Sequence, residues 1–164
     1  MYLQTEKLII RELEKSDVAS VLKLVTSDDF IANIGDRGVS NEAQTLEMMA
    51  ERYMYDYPDH GLFALELKTS GQFVGGVSFL KRDNLELDDV GYALIPEFYG
   101  NGYAIEATKA LIEWAEHKGK AGVCAVVSPH NTASIKLLNK LQFSDLGLTE
   151  LEANDHVKLL ELRF

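Results

Sequence analysis

A chain of 164 residues has the length of one domain, and its 46% hydrophobic and 26% charged residues are ordinary for a folded globular protein. A formal charge of −10 excludes a broad nucleic-acid face, which needs clustered lysine and arginine, and the single cysteine, Cys124, excludes an internal disulfide or a cysteine-based metal site. No apolar run reaches the ~18 residues of a membrane span and no apolar signal core opens the chain, so no membrane association and a cytoplasmic location are expected. The acidic balance suits a cationic partner, which it would steer inward, and serves solubility equally well.

The run Leu8-Ile9-Ile10-Arg11-Glu12-Leu13 is rich in β-formers and predicts the first strand. Ser16 is placed to cap a helix through Val25, with Val18, Val21, Leu22 and Val25 on one face. Asp28 to Ile34 reads as a short helical turn closed by Gly35. A longer helix is predicted from about Asn41 to Tyr57, capped by Ser40 and stopped before Pro58. Its apolar residues Leu46, Met49, Ala50, Tyr53, Met54 and Tyr57 recur at helical spacing and read as core. The alternative is one wall of a substrate cleft, faced by Phe30, Tyr53 and Tyr55.

Leu62–Lys68 and Phe73–Leu80 predict a hairpin in which Gly71 supplies the turn. Gly75-Gly76 inside the second strand points to a bulge or a close backbone neighbour. Val90–Ile95 follows as a buried strand, then a helix from Tyr103 to about Lys118. The strand Val123–Val127 is apolar on both faces, the mark of a buried parallel strand. A last helix carries Ile135, Leu138 and Leu141 inward, and Phe143–Leu148 pairs with Val157–Phe164. No repeat or linker interrupts residues 1–164, so one domain is expected, α/β (α+β) in class. The sheet is predicted to be mixed, with about seven strands, a central parallel β-α-β unit and about four helices.

The chemistry concentrates between Asp88 and Ala104. A strand that passes through Pro96 and Gly100-Asn101-Gly102 into a helix aims unpaired N–H groups and the positive helix end at one point, which suits a phosphate. Glycine belongs there because a Cβ would obstruct the anion. Two familiar phosphate loops fail. Ile105 stands where a dinucleotide fingerprint needs its third glycine, and no Gly-Lys-Ser/Thr tripeptide occurs.

What fits is the diphosphate turn of the GNAT superfamily of N-acetyltransferases. Its pattern, Gln/Arg-x-x-Gly-x-Gly/Ala, is matched by Tyr99-Gly100-Asn101-Gly102-Tyr103-Ala104 except at Tyr99, where many members carry Arg or Gln. The aromatic Tyr99, followed by Glu106-Ala107, resembles the branch of ribosomal-protein N-terminal (Rim-type) acetyltransferases. A second match, Asn131-Thr132-Ala133-Ser134-Ile135-Lys136-Leu137-Leu138-Asn139-Lys140-Leu141-Gln142-Phe143, is similar to the signature that closes the GNAT cofactor site. The resemblance implies a GNAT-type, largely antiparallel sheet and acetyl-CoA as co-substrate, without a metal. The acceptor it implies is an amine, possibly a ribosomal-protein N-terminus, used by direct attack in a ternary complex. A small amine such as a polyamine or aminoglycoside, or a non-catalytic acyl-CoA-binding module, are the alternatives. A monomer or a homodimer fits equally.

On the same footing, the resemblance assigns cofactor contacts to Leu94, Ile95, Tyr99, Gly100, Asn101, Gly102, Tyr103, Ala104 and Asn131. The N–H groups around Leu94 and Ile95 would be oxyanion donors, and the pantetheine arm would lie along the strand as an added one. Asn131 is otherwise a plain helix cap. Leu138 stands where many members carry the tyrosine that protonates the leaving thiolate, so that role passes to Ser134. Gln142 replaces the usual glycine at the helix stop. Asp89 is the expected base, because an amine attacks only after losing its proton. The alternative for Asp89 is a solvated strand-end carboxylate. Lys136 and Lys140 lie where they would meet a 3′-phosphate or simply water. His60, His117, His130 and His156 have no metal-ligand spacing, and Cys124 reads as packing.

Overall fold

The computed structural model describes residues 1–152 and 155–164. Two short strands, β1 (Tyr2–Gln4) and β2 (Leu8–Glu12), pair antiparallel and lead into three helices, α1 (Val18–Val25), α2 (Asp28–Asn33) and α3 (Glu42–Met48). A meander of β3 (Gly61–Leu67), β4 (Phe73–Leu80) and β5 (Asp88–Leu94) follows. Then come α4 (Tyr103–His117), β6 (Gly122–Val127), α5 (Thr132–Lys140) and the closing pair β7 (Ser144–Glu150) and β8 (His156–Arg163). Among the described residues this makes one sheet of eight strands in the order β1-β2-β3-β4-β5-β6-β8-β7, antiparallel except between β5 and β6. Among the described residues no helix is long and apolar enough to cross a membrane.

The strand and helix counts exceed expectation by one each. β1 escapes a pattern search because three residues carry no readable alternation, and α2 is a full helix rather than a turn, its Ser27 hydroxyl accepting from Phe30 N–H. Two caps also differ. The first helical turn begins at Lys15, not after Ser16. Asp17 organises it, accepting the Glu14 N–H at 2.8 Å and both arms of the Arg11 guanidinium at 2.9 and 3.0 Å. Burial alone would raise the Asp17 carboxyl, but Arg11 and the Glu14 N–H hold it below the ordinary carboxylate range. Asn41 rather than Ser40 caps α3, its Oδ1 accepting from Gln44 N–H at 2.9 Å. The long helix then widens into a π-helical stretch, Met49–Met54, which buries Met49 and Tyr53.

The sheet separates two cores. α4 and α5 cover one face over Phe63, Phe79, Val90, Leu94 and Leu138, and the helices before β3 cover the other with Val21, Leu24, Phe30, Met49 and Tyr53. Strand alternation assigns β5 to both: Val90, Tyr92 and Leu94 face α4 and α5, while Ala93 and Ile95 face the early helices. Phe30 and Tyr53 therefore serve as core, and Tyr55 stands 74% exposed. Gly75 meets its neighbour closely, since a Cβ there would overlap the Ala93 carbonyl oxygen.

α5 ends in a Schellman arrangement, with Phe143 N–H on Leu138 O and Gln142 N–H on Asn139 O. Gln142 takes the left-handed conformation at φ +67° where glycine is at ease. Gln142→Gly is expected to raise unfolding stability by roughly 0.5–1 kcal/mol, the relieved strain less the extra freedom of the unfolded chain. Denaturant titration of the unliganded protein measures it.

Candidate active site

Only two residue pairs hold β5 parallel to β6, Asp88 with Val123 and Asp89 with Cys124. Beyond them the strands part. Which backbone groups line the gap follows from the neighbouring ladders. Ile95 N–H donates to Val74 O at 2.9 Å, so the odd residues of β5 bond to β4 and the even ones, Tyr92 and Leu94, direct N–H and C=O into the gap. This narrows the expected donors: Ile95 is already paired, because it lies in register with β4, and Leu94 is not. Tyr92 joins it, a residue missed in sequence although period-two alternation from Leu94 reaches it. On β6, Phe164 N–H bonds Ala121 O, so Cys124 and Val126 face the gap. The Val126 N–H is occupied: Asp89 Oδ1 accepts it at 3.3 Å. One side of the gap is thus an open rail and the other is partly closed by a carboxylate.

Asp89 sits at the foot of the gap, 5% exposed, with Arg82 Nε 2.7 Å from Oδ2. Burial drives its pKa up, while the Arg82 charge and hydrogen bond and the Val126 N–H pull it part of the way back. Alternation turns its side chain toward the early-helix face, opposite the face of α4 and α5. Neither Arg82 nor this clasp was legible in the sequence, since both depend on a loop folding back.

At the other end of β5 the chain turns through Pro96–Phe98 and enters α4. Gly100 and Gly102 have φ of +80° and +78°, and a Cβ built on either meets no heavy atom within 4 Å. The elbow is open. Asn101 stabilises it by donating from Nδ2 to the carbonyls of Phe98 and Tyr99 at 3.1 and 3.3 Å. The N–H groups of the first turn, from Tyr103 and Ala104 onward, have no intrahelical acceptor and point outward with the helix dipole. Lys7, another residue not singled out in sequence, brings its ammonium 3.5 Å from Asn101 O. Glu106 positions that segment, with Oε1 accepting from Thr5 Oγ1 at 2.5 Å and Lys7 N–H at 2.7 Å.

Across the gap, Asn131 caps α5 by accepting the Ser134 N–H at 3.2 Å, leaving its amide nitrogen for another partner. Ser134 is buried and faces Tyr92; burial raises the Tyr92 phenol and the Ser134 hydroxyl opposes the rise. Leu138 is buried and offers no hydroxyl. Tyr99 turns away from the elbow toward α2, donating to Asp29 Oδ2 at 2.9 Å, and burial together with that carboxylate pushes its phenol up to about 12. α2 is also tied to the far bank, where Ser128 Oγ donates to Asn33 O at 3.0 Å. α2 therefore bridges the mouth between the two walls. Lys136, Lys140 and His130 are exposed, and Cys124 is packed with Sγ on Leu87 O at 3.3 Å, its thiol raised by burial to about 12.

The open elbow accepts a diphosphate, and the Tyr92–Leu94 rail accepts an amide-bearing arm as an added strand. The chain is 29% identical over 153 residues to the uncharacterized N-acetyltransferase p20 of Bacillus licheniformis, spanning 89% of this chain and 84% of p20. Its fold matches an acetyltransferase (GNAT family) from Bacillus anthracis with a TM-score of 0.84 at 22% identity, over 99% of this chain and 98% of that one. It also matches RimL, the ribosomal L7/L12 alpha-N-protein acetyltransferase solved with coenzyme A, with a TM-score of 0.79 at 15% identity, over 99% and 98% of the two chains. Residues 7–144, which include the rail, the elbow and the Asn131–Phe143 segment, match the model of the acetyltransferase (GNAT) domain, and the chain belongs to that family of N-acetyltransferases.

Proposed function

We propose that the acceptor is a protein N-terminal α-amino group, acetylated by direct attack in a ternary complex. Acetyl-CoA supplies a thioester carbonyl and a thiolate leaving group. Gly100 to Ala104 hold the diphosphate through main-chain donors, with Lys7 adding a positive charge. Tyr92 and Leu94 pair with the pantetheine amides, and the Leu94 N–H is the donor toward the developing oxyanion. Ile95 and Tyr99 contribute by shaping the end of the rail. Asn131 offers its amide nitrogen, and Ser134 passes a proton to the leaving sulfur while regaining one from solvent. Asp89, on the opposite face, takes the proton from the amine directly or through a water.

The observation that carries this reading is the gap itself: one rail of unpaired N–H groups, with a raised-pKa carboxylate on one face and the buried Ser134 hydroxyl beside Tyr92 on the other. The N-terminal acceptor draws on the likeness to RimL, and α2 with Asp28 and Asp29 supplies an acidic mouth for an ammonium.

The test is thiol release from acetyl-CoA across N-terminal peptides and small amines. Peptides should be turned over well above the small amines; the reverse order replaces the acceptor, and no release with any amine ends the enzymatic reading. Ser134→Ala should lower kcat by about 10²–10⁴-fold while the stabilisation by acetyl-CoA persists.

A further inference from the structure

One guanidinium on the acceptor side of the gap carries a charge that no carboxylate of the fold answers. Arg37 follows α2 and is half-buried. Its Nε donates to Tyr53 Oη at 3.0 Å, and its guanidinium carbon lies 5.3 Å from the centre of the Phe30 ring. Phe30 and Tyr53 are both buried. The two aromatic side chains therefore hold the guanidinium in place without neutralising it. Among the described residues neither Nη has a hydrogen-bond partner. Asp36, its neighbour in sequence, turns Oδ1 to the Gly38 N–H at 2.8 Å instead. Of the other arginines, Arg11, Arg82 and Arg163 hold carboxylates and Arg52 lies exposed. Carboxylates are plentiful in a chain with 26 acidic residues against 16 basic ones, yet the two Nη groups of Arg37 meet none of them.

The place of this cation follows from α2. That helix bridges the mouth of the gap, tied to Tyr99 through Asp29 and to Ser128 through the Asn33 carbonyl. Phe30 lies between the two ties and packs in the core cluster that takes in Ala93 and Ile95, at the mouth end of β5. Asp89 turns to the same face. An amine that gives its proton to Asp89 therefore comes in past α2, with Arg37 against that helix. The flanks of α2 are opposite in charge, Asp28 and Asp29 in its first turn and Arg37 beyond its last. An acceptor with an ammonium at one end and a carboxylate a short way along is the complement. The 6 residues of α2 span about 9 Å, which about three extended residues cover.

We infer that Arg37 is a specificity-determining residue that receives a carboxylate of the acceptor, on one of the residues at positions 2 to 4 when the acceptor is a peptide. The two Nη groups donate side by side to the two carboxylate oxygens, and the acid is selected over its amide because only the anion answers the charge. This deepens the acceptor reading above and rests on attack from the Asp89 face, but it holds for a peptide and a small amine alike. The net charge of −10 does not oppose it. Charges more than about 8–10 Å away are largely screened at physiological salt, whereas the guanidinium meets its ligand at contact.

Thiol release from acetyl-CoA tests this with C-terminally amidated peptides carrying Glu or Gln at position 2, 3 or 4, and with glutamate against glutamine. With wild type, the Glu peptide should exceed its Gln twin by about 10–100-fold in kcat/KM at one of these positions, the scale of a charge-assisted hydrogen bond. Arg37→Gln should bring that ratio close to one. A merely structural loss would lower both twins alike and leave the ratio as it was. Arg37→Met, whose linear stem keeps the contact with Phe30, serves where Arg37→Gln does not fold. A wild-type ratio near one with peptides turned over, or a ratio that survives the substitution, overturns the inference and leaves the N-terminal acceptor standing. If only small amines are turned over, the N-terminal acceptor fails; a preference for glutamate over glutamine then supports the inference, and its absence overturns it. Release with no amine removes both.

Discussion

Gly102→Val is expected to abolish coenzyme recognition while leaving a folded protein. Acetyl-CoA at ~100 times its dissociation constant adds about 2.7 kcal/mol of stability. A hundredfold loss of affinity at the same concentration leaves about 0.4 kcal/mol. The physical reason is specific to the elbow. Outside its own chain neighbours, no heavy atom lies within 4 Å of a Cβ at this position, so the added side chain enters the open space above the α4 N-terminus. Some strain is unavoidable, because φ is +78°, and about 1–2 kcal/mol of unliganded stability should be lost.

Gly147 in β7 controls for that strain. It has φ +88° and equally open surroundings, far from the elbow in the fold. Gly147→Val should show a similar loss of stability and keep the full acetyl-CoA shift. If Gly102→Val also keeps the shift, the diphosphate is bound elsewhere.

The second large effect is expected at Asp89. Asp89→Asn retains one oxygen for the Val126 N–H, loses the acceptor that faces Arg82 Nε, and cannot take a proton. kcat should fall by about 10²–10⁴-fold with acetyl-CoA stabilisation intact. Unchanged turnover would reduce Asp89 to a clasp. The pH profile separates the two roles further. Burial raises the Asp89 pKa, and a base must be ionised, so the acidic limb of kcat should lie above the ~3.9 of an ordinary aspartate. Arg82 pulls in the opposite direction, and Arg82→Ala should move the limb to still higher pH.

The sign for stability follows from the same shift. With the folded-state value raised, the carboxyl favours folding below its unfolded value, and that contribution is lost as pH rises through the folded one. At neutral pH the ionised group therefore weighs against folding, and Arg82 lessens that cost. Function and stability are opposed at this residue, as is common where a charge is kept in a dry place.

Much of the candidate site is written in short stretches. Gly100-Asn101-Gly102 announces a left-handed turn before a helix, and Asn131 with Ser134 announces a cap, because these geometries are set within a few residues by backbone sterics and local hydrogen bonds. The hairpin around Gly71 and the apolar strand Val123–Val127, which the structure extends back to Gly122, were legible for the same reason. Where Ser40 and Asn41 compete for one cap, both end up on Gln44, Asn41 on its N–H and Ser40 on its side chain, and at the start of the first helix Arg11 chose Asp17 over Ser16.

From the sequence by itself come the family, the elbow, the order of the elements and the residue types available for acetyl transfer. Only the tertiary structure decided that Tyr92 and Leu94, not Ile95, present free amides, that Asp89 is clasped by Arg82 and Val126, and that Lys7 reaches the elbow. It also decided that Arg37 is held by Phe30 and Tyr53. The reason is one of range. Whether an N–H is free depends on which strand lies beside it, and a pKa depends on what has been brought near in space, and neither is a property of neighbours along the chain.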